Sequence, residues 1–488
     1  MKLCEIIKSD EYTVAYVDMQ TDIKKITHLP EETDESTLLV IPNGKKISTL
    51  SNYARPRAIL CSDDAPMPPD LPLIRAKNIR ACIAYAFARF ESIDFKGITM
   101  IGVTGTNGKT STASFIERIL LDNGYKVGFI GTGEIRINGK LETDTEYSMT
   151  TPDPWVLFKE IKKMQNAGCS AIVMEVSSHA LALEKTAPIV FDYGVFTNIS
   201  PEHLDFHNDI WEYFDVKTKL FQKCKKAVFN IDDSMIRAFS ESYGKNKITA
   251  GVLWRGDVYA SDVEDFGFRG SEYLFHGKNF LFKMKLKAPG IFNIYNSLMA
   301  LCVCCDMGIA PCNAKRSLSE IKFIGGRYEI IKEDITVIID YAHTSYAFEC
   351  IMSNIYKAKS PKSKLITVFG CGGNRDISKR PEMARIAERY SDTVIVTSDN
   401  SRSEDPHKII SDIICGFSED CFEIVEDRKE AIKKAILGAK DGSVVAIIGK
   451  GSERYNIDSN GYHYFNEKEI ITAALAERRN KRSYANTT

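Results

Sequence analysis

The sequence predicts an α/β protein built on parallel strands, and three observations carry that prediction. Short apolar runs alternate with longer helical segments from about Gly97 onward, several of the runs are continuously apolar and end in polar or glycine residues, and one leads directly into a glycine-rich loop and a helix. Continuously apolar strands are those covered on both faces in a parallel sheet, and their carboxyl ends gather ligands. A chain of 488 residues has the length for about three domains at roughly 150 residues each.

In chain order, the candidate strands are residues 98–103, 170–176, 192–198, 227–230, 337–340, 365–370, 393–398 and 444–449. A helix-like stretch over 76–90 precedes them, and one division of the chain falls after it, near Phe95, Lys96 and Gly97. A second falls at 324–327, where FIGGRYE interrupts the pattern and a new strand series begins. The chain thus divides into 1–96, 97–324 and 325–488, and the polar tail ERRNKRSYANTT, without apolar periodicity, is expected to fray.

A net charge of −1 supplies no basic field for nucleic acid and no acidic excess for basic partners. The first residues, MKLCEIIKSDEY, carry charge at once and lack an apolar signal core. No apolar stretch approaches the roughly 20 residues that span a bilayer. A soluble cytosolic protein is expected, with no nucleic-acid or membrane partner. Of the thirteen cysteines, Cys302, Cys304 and Cys305 lie inside an apolar helical stretch, where thiols behave as small buried hydrophobes.

The strongest local signal is ITMIGVTGTNGKTST, residues 98–112. Gly105 and Gly108, bracketing Thr106 and Asn107, lack the Cβ atoms that would keep backbone N–H groups from closing around phosphate oxygens. Lys109 is placed to reach the β- and γ-phosphates and the Thr110 hydroxyl to ligate Mg²⁺. Ser111 follows at the start of a helix whose positive dipole end favours anions. Val103 stands where the eight-residue form of this loop has its first glycine, so the segment fits the shorter G-x-x-G-K-T form. A plain glycine turn with a surface lysine does not account for the strand before it and the helix after it. A nucleoside triphosphate is predicted to bind here, which alone leaves switch, motor, kinase and ligase open.

The motifs that follow narrow the choice: TTPDPW (150–155), MEVSSHAL (174–181), FTNISPEHLDFH (196–207), YFDVKTKLF (213–221), FNIYNSLMA (292–300), GGRYEII (325–331), DYAHTSYAF (340–348), GCGGNRDISKRPEM (370–383), SDNSRSEDP (398–406) and GKGSE (449–453). In this order, over about residues 97 to 470, the chain resembles the Mur ligase family, and within it the branch that adds the third amino acid of a cell-wall peptide. The resemblance implies three domains: a UDP-sugar-binding N-terminal domain, a central P-loop ATPase, and a Rossmann-like C-terminal domain, with ATP between the last two. It implies an ADP-forming ligase of peptidoglycan precursor synthesis, joining UDP-N-acetylmuramoyl-L-Ala-D-Glu to a diamino acid. A carboxylate cannot lose oxide to an attacking amine at neutral pH, whereas an acyl phosphate loses phosphate. Such steps are catalysed mainly by positioning and charge stabilisation.

The resemblance also implies roles for single residues. Lys109, Glu175, His203 and Lys217 match catalytic positions, and Thr110, Glu175, His203 and Lys217 match Mg²⁺ ligands, Lys217 as a carbamate formed with CO₂. That reaction needs a neutral amine, which burial favours; on the residues alone Lys219 is an equal rival, and the spacing from Tyr213 favours Lys217. Mg²⁺ prefers oxygen, so a histidine ligand belongs in a mixed shell with waters. Asn296, Arg327, Asp340 and His343 match nucleotide contacts; a helix-capping asparagine and an Arg–Asp pair are the plainer alternatives. Thr150, Thr151, Ser177 and Lys185 match positions facing the peptide substrate. Arg375, Asp399, Asn400, Arg402, Gly449 and Glu453 match contacts to the incoming amino acid. Arg402 offers a planar guanidinium to a distal carboxylate, which favours meso-diaminopimelate over L-lysine.

Five departures stand out. Ser401 replaces a proline, Ser452 a histidine, and Leu183 and Lys185 a glutamine and an arginine, while THLPEETDESTLLVIPNGKK lacks the Ser-Arg pair that contacts uridine nucleotide. A Mur-like ligase acting on another carboxylate, or a non-catalytic ATP-binding relative, is the alternative expectation. A monomer is expected.

Overall fold

All eight strand candidates are strands, four in each of two parallel-centred sheets. The computed structural model describes residues 1–42, 54–66, 71–142, 149–202, 206–419 and 421–485. Among the described residues the strands form four sheets, of five, eleven, six and two strands.

The eleven-stranded sheet positions the phosphate loop. Its strand Thr99–Thr104 lies between Ala171–Glu175 and Phe191–Phe196 and pairs in parallel with both. Beyond the first lies Val127–Gly131, and beyond the second lie Cys224–Asn230, Lys247–Gly251 and Val258–Asp265. From Thr99–Thr104 the chain goes first to one side, out to Val127–Gly131 and back to Ala171–Glu175, and then to the other side at Phe191–Phe196, which makes the carboxyl end of Thr99–Thr104 a topological switch point, where ligands bind in open α/β sheets. Both edges are antiparallel hairpins that the apolar pattern does not reveal. Leu281–Leu286, for example, alternates exposed and buried positions because only one face is covered.

In the six-stranded sheet, Thr336–Asp340, Val444–Ile448, Leu365–Phe369, Thr393–Val396 and Phe422–Ile424 run parallel, and Glu329–Lys332 pairs antiparallel at one edge. Alternate residues feed two cores: Ile338 packs on one face, Val337 and Ile339 on the other. Ahead of both sheets stands the five-stranded one, whose strands Thr37–Val40, Ala58–Ser62 and Leu73–Ala76 are almost wholly buried. The helix read over 76–90 starts later, at Ile79. Ala76 ends a strand, and the Asn78 side chain caps the helix by accepting the Ala81 N–H at 3.2 Å.

The cysteine-bearing stretch is the helix Ile291–Asp306, buried nearly all round against the phosphate-loop helix Lys109–Asp122. Each large apolar side chain buried there contributes about 1.5–3 kcal/mol. Cys302 and Cys305 share the C-x-x-C spacing, but burial pushes both thiols up, Cys305 to about 11, as for apolar core residues.

As far as Ala485 the tail is helical rather than frayed. Helix Glu467–Ala485 runs through it, and buried Arg478 donates to Asp334 Oδ2 at 2.7 Å, Ala439 O at 2.6 Å and Ile436 O at 3.0 Å. Arg482 pairs with Asp334 and Asp441. Arginines that read as a polar tail thus staple the helix to the sheet. Arg478→Ala leaves three backbone carbonyls without their cation and Asp334 with Arg482 alone, and is expected to destabilise the C-terminal sheet by about 3 kcal/mol, read as a lower urea midpoint. Among the described residues no helix is long and apolar enough to cross a membrane.

Candidate active site

The loop Gly105–Gly108 is held by the segment after strand Phe191–Phe196. Thr106 N–H donates to Asn198 O and Asn107 N–H to Asn198 Oδ1, both at 2.9 Å, while Asn198 Nδ2 and Thr197 Oγ1 donate to Asn107 O at 2.9 and 2.6 Å. The glycines are required by these neighbours: both have positive φ, a Cβ on Gly105 would strike Thr197 Oγ1, and one on Gly108 would lie 2.5 Å from Asn296 Oδ1. Ser111 is buried in the first turn of the helix, whose leading N–H groups have no intrahelical acceptor. Asn296 does not cap a helix; it accepts the Thr112 hydroxyl at 3.2 Å and donates to Asn293 Oδ1 at 3.1 Å, tying the two central helices together.

Two lysines converge on one carbonyl. Lys109 Nζ donates to Gly105 O (2.9 Å) and Thr106 O (2.6 Å), and Lys217 Nζ donates to the same Gly105 O at 2.9 Å. Asp209 caps the helix Ile210–Gln222 that carries Lys217, accepting the Glu212 N–H at 2.8 Å. Burial, and then the charge on Lys109, hold the Lys217 ammonium well below its usual range. Lys219 is exposed on the same helix, so burial separates two lysines that spacing alone left equal. The Lys217 ammonium also lies 4.5 Å from the ring centre of Tyr213, whose hydroxyl donates to Glu202 Oε2 at 3.3 Å.

Glu175 ends its strand with no exposure and accepts the Thr132 N–H at 3.0 Å and the Thr132 hydroxyl at 3.2 Å. Thr150 Oγ1 takes part in the same group, 3.1 Å from Thr132 Oγ1. Thr151 donates to Glu175 O at 2.9 Å and accepts the Ser177 N–H at 3.0 Å. Buried Lys185 pairs with Asp153 at 2.7 Å. His203 lies outside the described residues.

The C-terminal sheet supplies the opposite wall. Arg327 donates to Thr110 Oγ1 at 3.2 Å and stacks 3.9 Å from the Tyr341 ring centre, and its buried Nη1 has no hydrogen-bond partner among the described residues. Asp340 is not paired with Arg327. It accepts the Tyr328 and Ala342 N–H groups at 2.6 and 2.7 Å, and burial raises its carboxyl above the usual range even with Arg327 nearby. His343 Nε2 stands 3.3 Å from Glu202 Oε1.

A second cluster forms where strands Thr393–Val396 and Val444–Ile448 end. Asn400 donates to Glu453 at 2.9 Å and accepts from Lys450 at 2.8 Å; Lys450 also lies 3.5 Å from Asp399. Burial alone would raise Asp399, but Lys450 and Arg428 hold it below the carboxylate range. A Cβ on Gly449 would lie 3.0 Å from Asp399 Oδ2. Arg402 is half-buried over this group, and Arg375 is exposed beside it. The clusters meet where a Cβ on Gly451 would lie 2.9 Å from Tyr341 Cβ. Two participants escaped the sequence reading. Lys450 sat in view inside GKGSE, between two residues that were assigned. Arg428, paired with Glu467 at 2.7 Å, carries no local signal.

The donor set suits Mg²⁺ with substrate phosphates. Among the described residues no three His, Cys, Asp or Glu side chains gather as a metal cage. One buried carboxylate and one hydroxyl beside a phosphate loop are what Mg²⁺ takes when phosphates and waters fill the rest. Both Glu175 oxygens keep lone pairs beyond their Thr132 bonds.

Phosphate loop, buried strand-end carboxylate and a facing arginine from a second sheet define a nucleotide-dependent enzyme working between two domains. Residues 103–304 match the Mur ligase middle domain and residues 326–451 the Mur ligase, glutamate ligase domain. A UDP-N-acetylmuramoyl-L-alanyl-D-glutamate–2,6-diaminopimelate ligase of Clostridium acetobutylicum is 35% identical over 98% of this chain and its own full length. One from Aquifex aeolicus is 39% identical over 84% of each chain. A solved 2,6-diaminopimelate ligase shares the fold with a TM-score of 0.67 at 23% identity, covering 98% of this chain and 99% of its own. MurF ligase of Thermotoga maritima in complex with ADP does so at 0.62 and 18%, covering 95% and 99%. The chain belongs to the Mur ligases, ATP-dependent enzymes of three-domain architecture.

Proposed function

We propose that this chain adds meso-diaminopimelate, in preference to L-lysine, to UDP-N-acetylmuramoyl-L-Ala-D-Glu in peptidoglycan precursor synthesis. The observation that carries this is Arg402 with Arg375 above the Asp399–Asn400–Glu453 cluster: paired guanidinium groups suit a carboxylate and the acidic groups an ammonium. The names of the relatives agree. The domains run 1–96, 97–324 and 325–488, consistent with the extents of the three large sheets. The enzyme works as a cytoplasmic monomer.

In this reading Lys109, the loop Gly105–Ser111 and Arg327 hold the triphosphate, with the unpartnered Arg327 Nη1 turned to phosphate. Asn296, Asp340 and His343 shape the nucleotide pocket. Thr110 and Glu175, with His203 and Lys217 as its carbamate, hold Mg²⁺, which when bound supplies positive charge to the phosphates. The carbamate forms by attack of neutral Nζ on CO₂: an N–C bond forms, one C–O π bond becomes carboxylate, and a proton leaves to solvent. Thr150, Thr151, Ser177 and Lys185 orient the peptide carboxylate for attack on the γ-phosphorus, whose bond to the bridging oxygen breaks so that ADP leaves and an acyl phosphate forms. The amine then displaces phosphate from the acyl phosphate.

ADP release by the full chain, with ATP, Mg²⁺ and the UDP-dipeptide, tests this. Turnover is expected with meso-diaminopimelate and at least about tenfold less with L-lysine, the worth of one charged contact. Equal use of both removes Arg402 as selector. Silence with every amine while ATP still binds favours another carboxylate substrate, the reading that the missing Ser-Arg pair supports.

A further inference from the structure

The loop ending at Arg375 and the loop bearing Arg402 are laced together. Gly373 N–H donates to Asn400 O at 2.9 Å, and Arg402 Nη1 to Gly373 O at 2.9 Å. The Ser403 N–H and hydroxyl both donate to Asn374 Oδ1, at 3.1 and 2.9 Å. Asn374 and Arg402 hold positive φ, 52° and 55°, a conformation that persists in non-glycine residues where the surroundings enforce it.

Arg380 is at the base of this lacing. It is wholly buried in the first turn of helix Lys379–Tyr390, the end where the helix dipole disfavours a cation. Its guanidinium forks onto Glu404, Nη1 to Oε1 at 2.7 Å and Nη2 to Oε2 at 2.8 Å, and also reaches Asp412 Oδ2 at 2.7 Å and Gly372 O at 3.3 Å. Glu404 Oε2 accepts the Asn374 N–H at 3.0 Å, one residue before Arg375. The fork with Arg380 pulls the Glu404 carboxyl down to about 2, so it stays charged at neutral pH.

Held this way, Arg375 and Arg402 stay together against their mutual repulsion; burial and the Arg375 charge both lower Arg402. A carboxylate placed between them relieves that repulsion, and the ammonium of a lysine side chain adds to it.

We propose, resting on the diamino-acid reading of this site, that Arg380 is a positioning residue. Through Glu404 it sets the spacing of Arg375 and Arg402, and with it the preference for an amino acid that ends in a second carboxylate.

Two variants test this. Glu404→Gln keeps the shape and an acceptor for the Asn374 N–H but removes the charge; Arg380→Lys keeps a charge but removes the fork. In ADP release by the full chain, each is expected to raise KM for meso-diaminopimelate by about tenfold while KM for ATP stays within about twofold. The kcat/KM ratio of meso-diaminopimelate to L-lysine should narrow by the same factor. If Arg380→Lys does not fold, Glu404→Gln decides. A variant with a lowered melting temperature and an unchanged ratio assigns the pair to stability alone and overturns the proposal, as does an unchanged KM. A wild type that selects meso-diaminopimelate alongside equally selective variants sinks only the positioning role. A wild type that uses neither amine sinks the reading of the site and the proposal with it.

Discussion

Lys109→Ala is expected to reduce ADP release by about a thousandfold or more, the scale of losing a preorganised charge that meets the transition state. The side chain already rests on Gly105 O and Thr106 O at the mouth of the loop, so little ordering remains when phosphate arrives. Alanine removes the cation and leaves the loop's geometry, which Thr197, Asn198 and Asn296 maintain. Folding should therefore survive while turnover does not. Activity within about tenfold of wild type would deny Lys109 any phosphate contact in the transition state.

Lys217→Ala is expected to lower turnover by about a hundredfold or more, as losing a metal-site group does, with partial recovery in millimolar formate or acetate. As a cation, buried Lys217 shares one carbonyl oxygen with Lys109, which favours loss of its proton. The proposed carbamylation would turn that repulsion into attraction, since the group beside Lys109 would become an anion. The amine is reactive only when neutral, so removing CO₂ should silence the enzyme more completely as pH falls. Lys219→Ala, on the exposed face of the same helix, should behave as wild type. Full activity in Lys217→Ala, or indifference to CO₂, would remove the carbamate.

Much of the fold was legible because parallel strands buried on both faces are contiguous apolar runs; Ala171–Glu175 and Val444–Ile448 are buried throughout. The outer hairpins were not, since half-covered strands mix polar and apolar residues. The tail misled because charge was taken for solvation, whereas Arg478 is buried on Asp334 and three backbone carbonyls. At the site, the motifs led to Lys109, Glu175, Arg402 and Glu453, whereas Arg380, Glu404 and Arg428 emerged only with their partners.

The sequence by itself determined what contiguous residues can encode: a phosphate loop between strand and helix, a carboxylate at a strand end, an arginine beside the Asp399–Asn400 pair, and the ordered motifs of the family. Only the tertiary structure decided which charges are buried and whom they meet. Lys217 and Lys219 are chemically identical until one faces Gly105 O across 112 residues of chain. Glycine at 105 and 108 is demanded by Thr197 and Asn296, far away in sequence. Desolvation and ion pairing act through space and fall off within a few ångströms, so they are properties of the packed chain rather than of any segment.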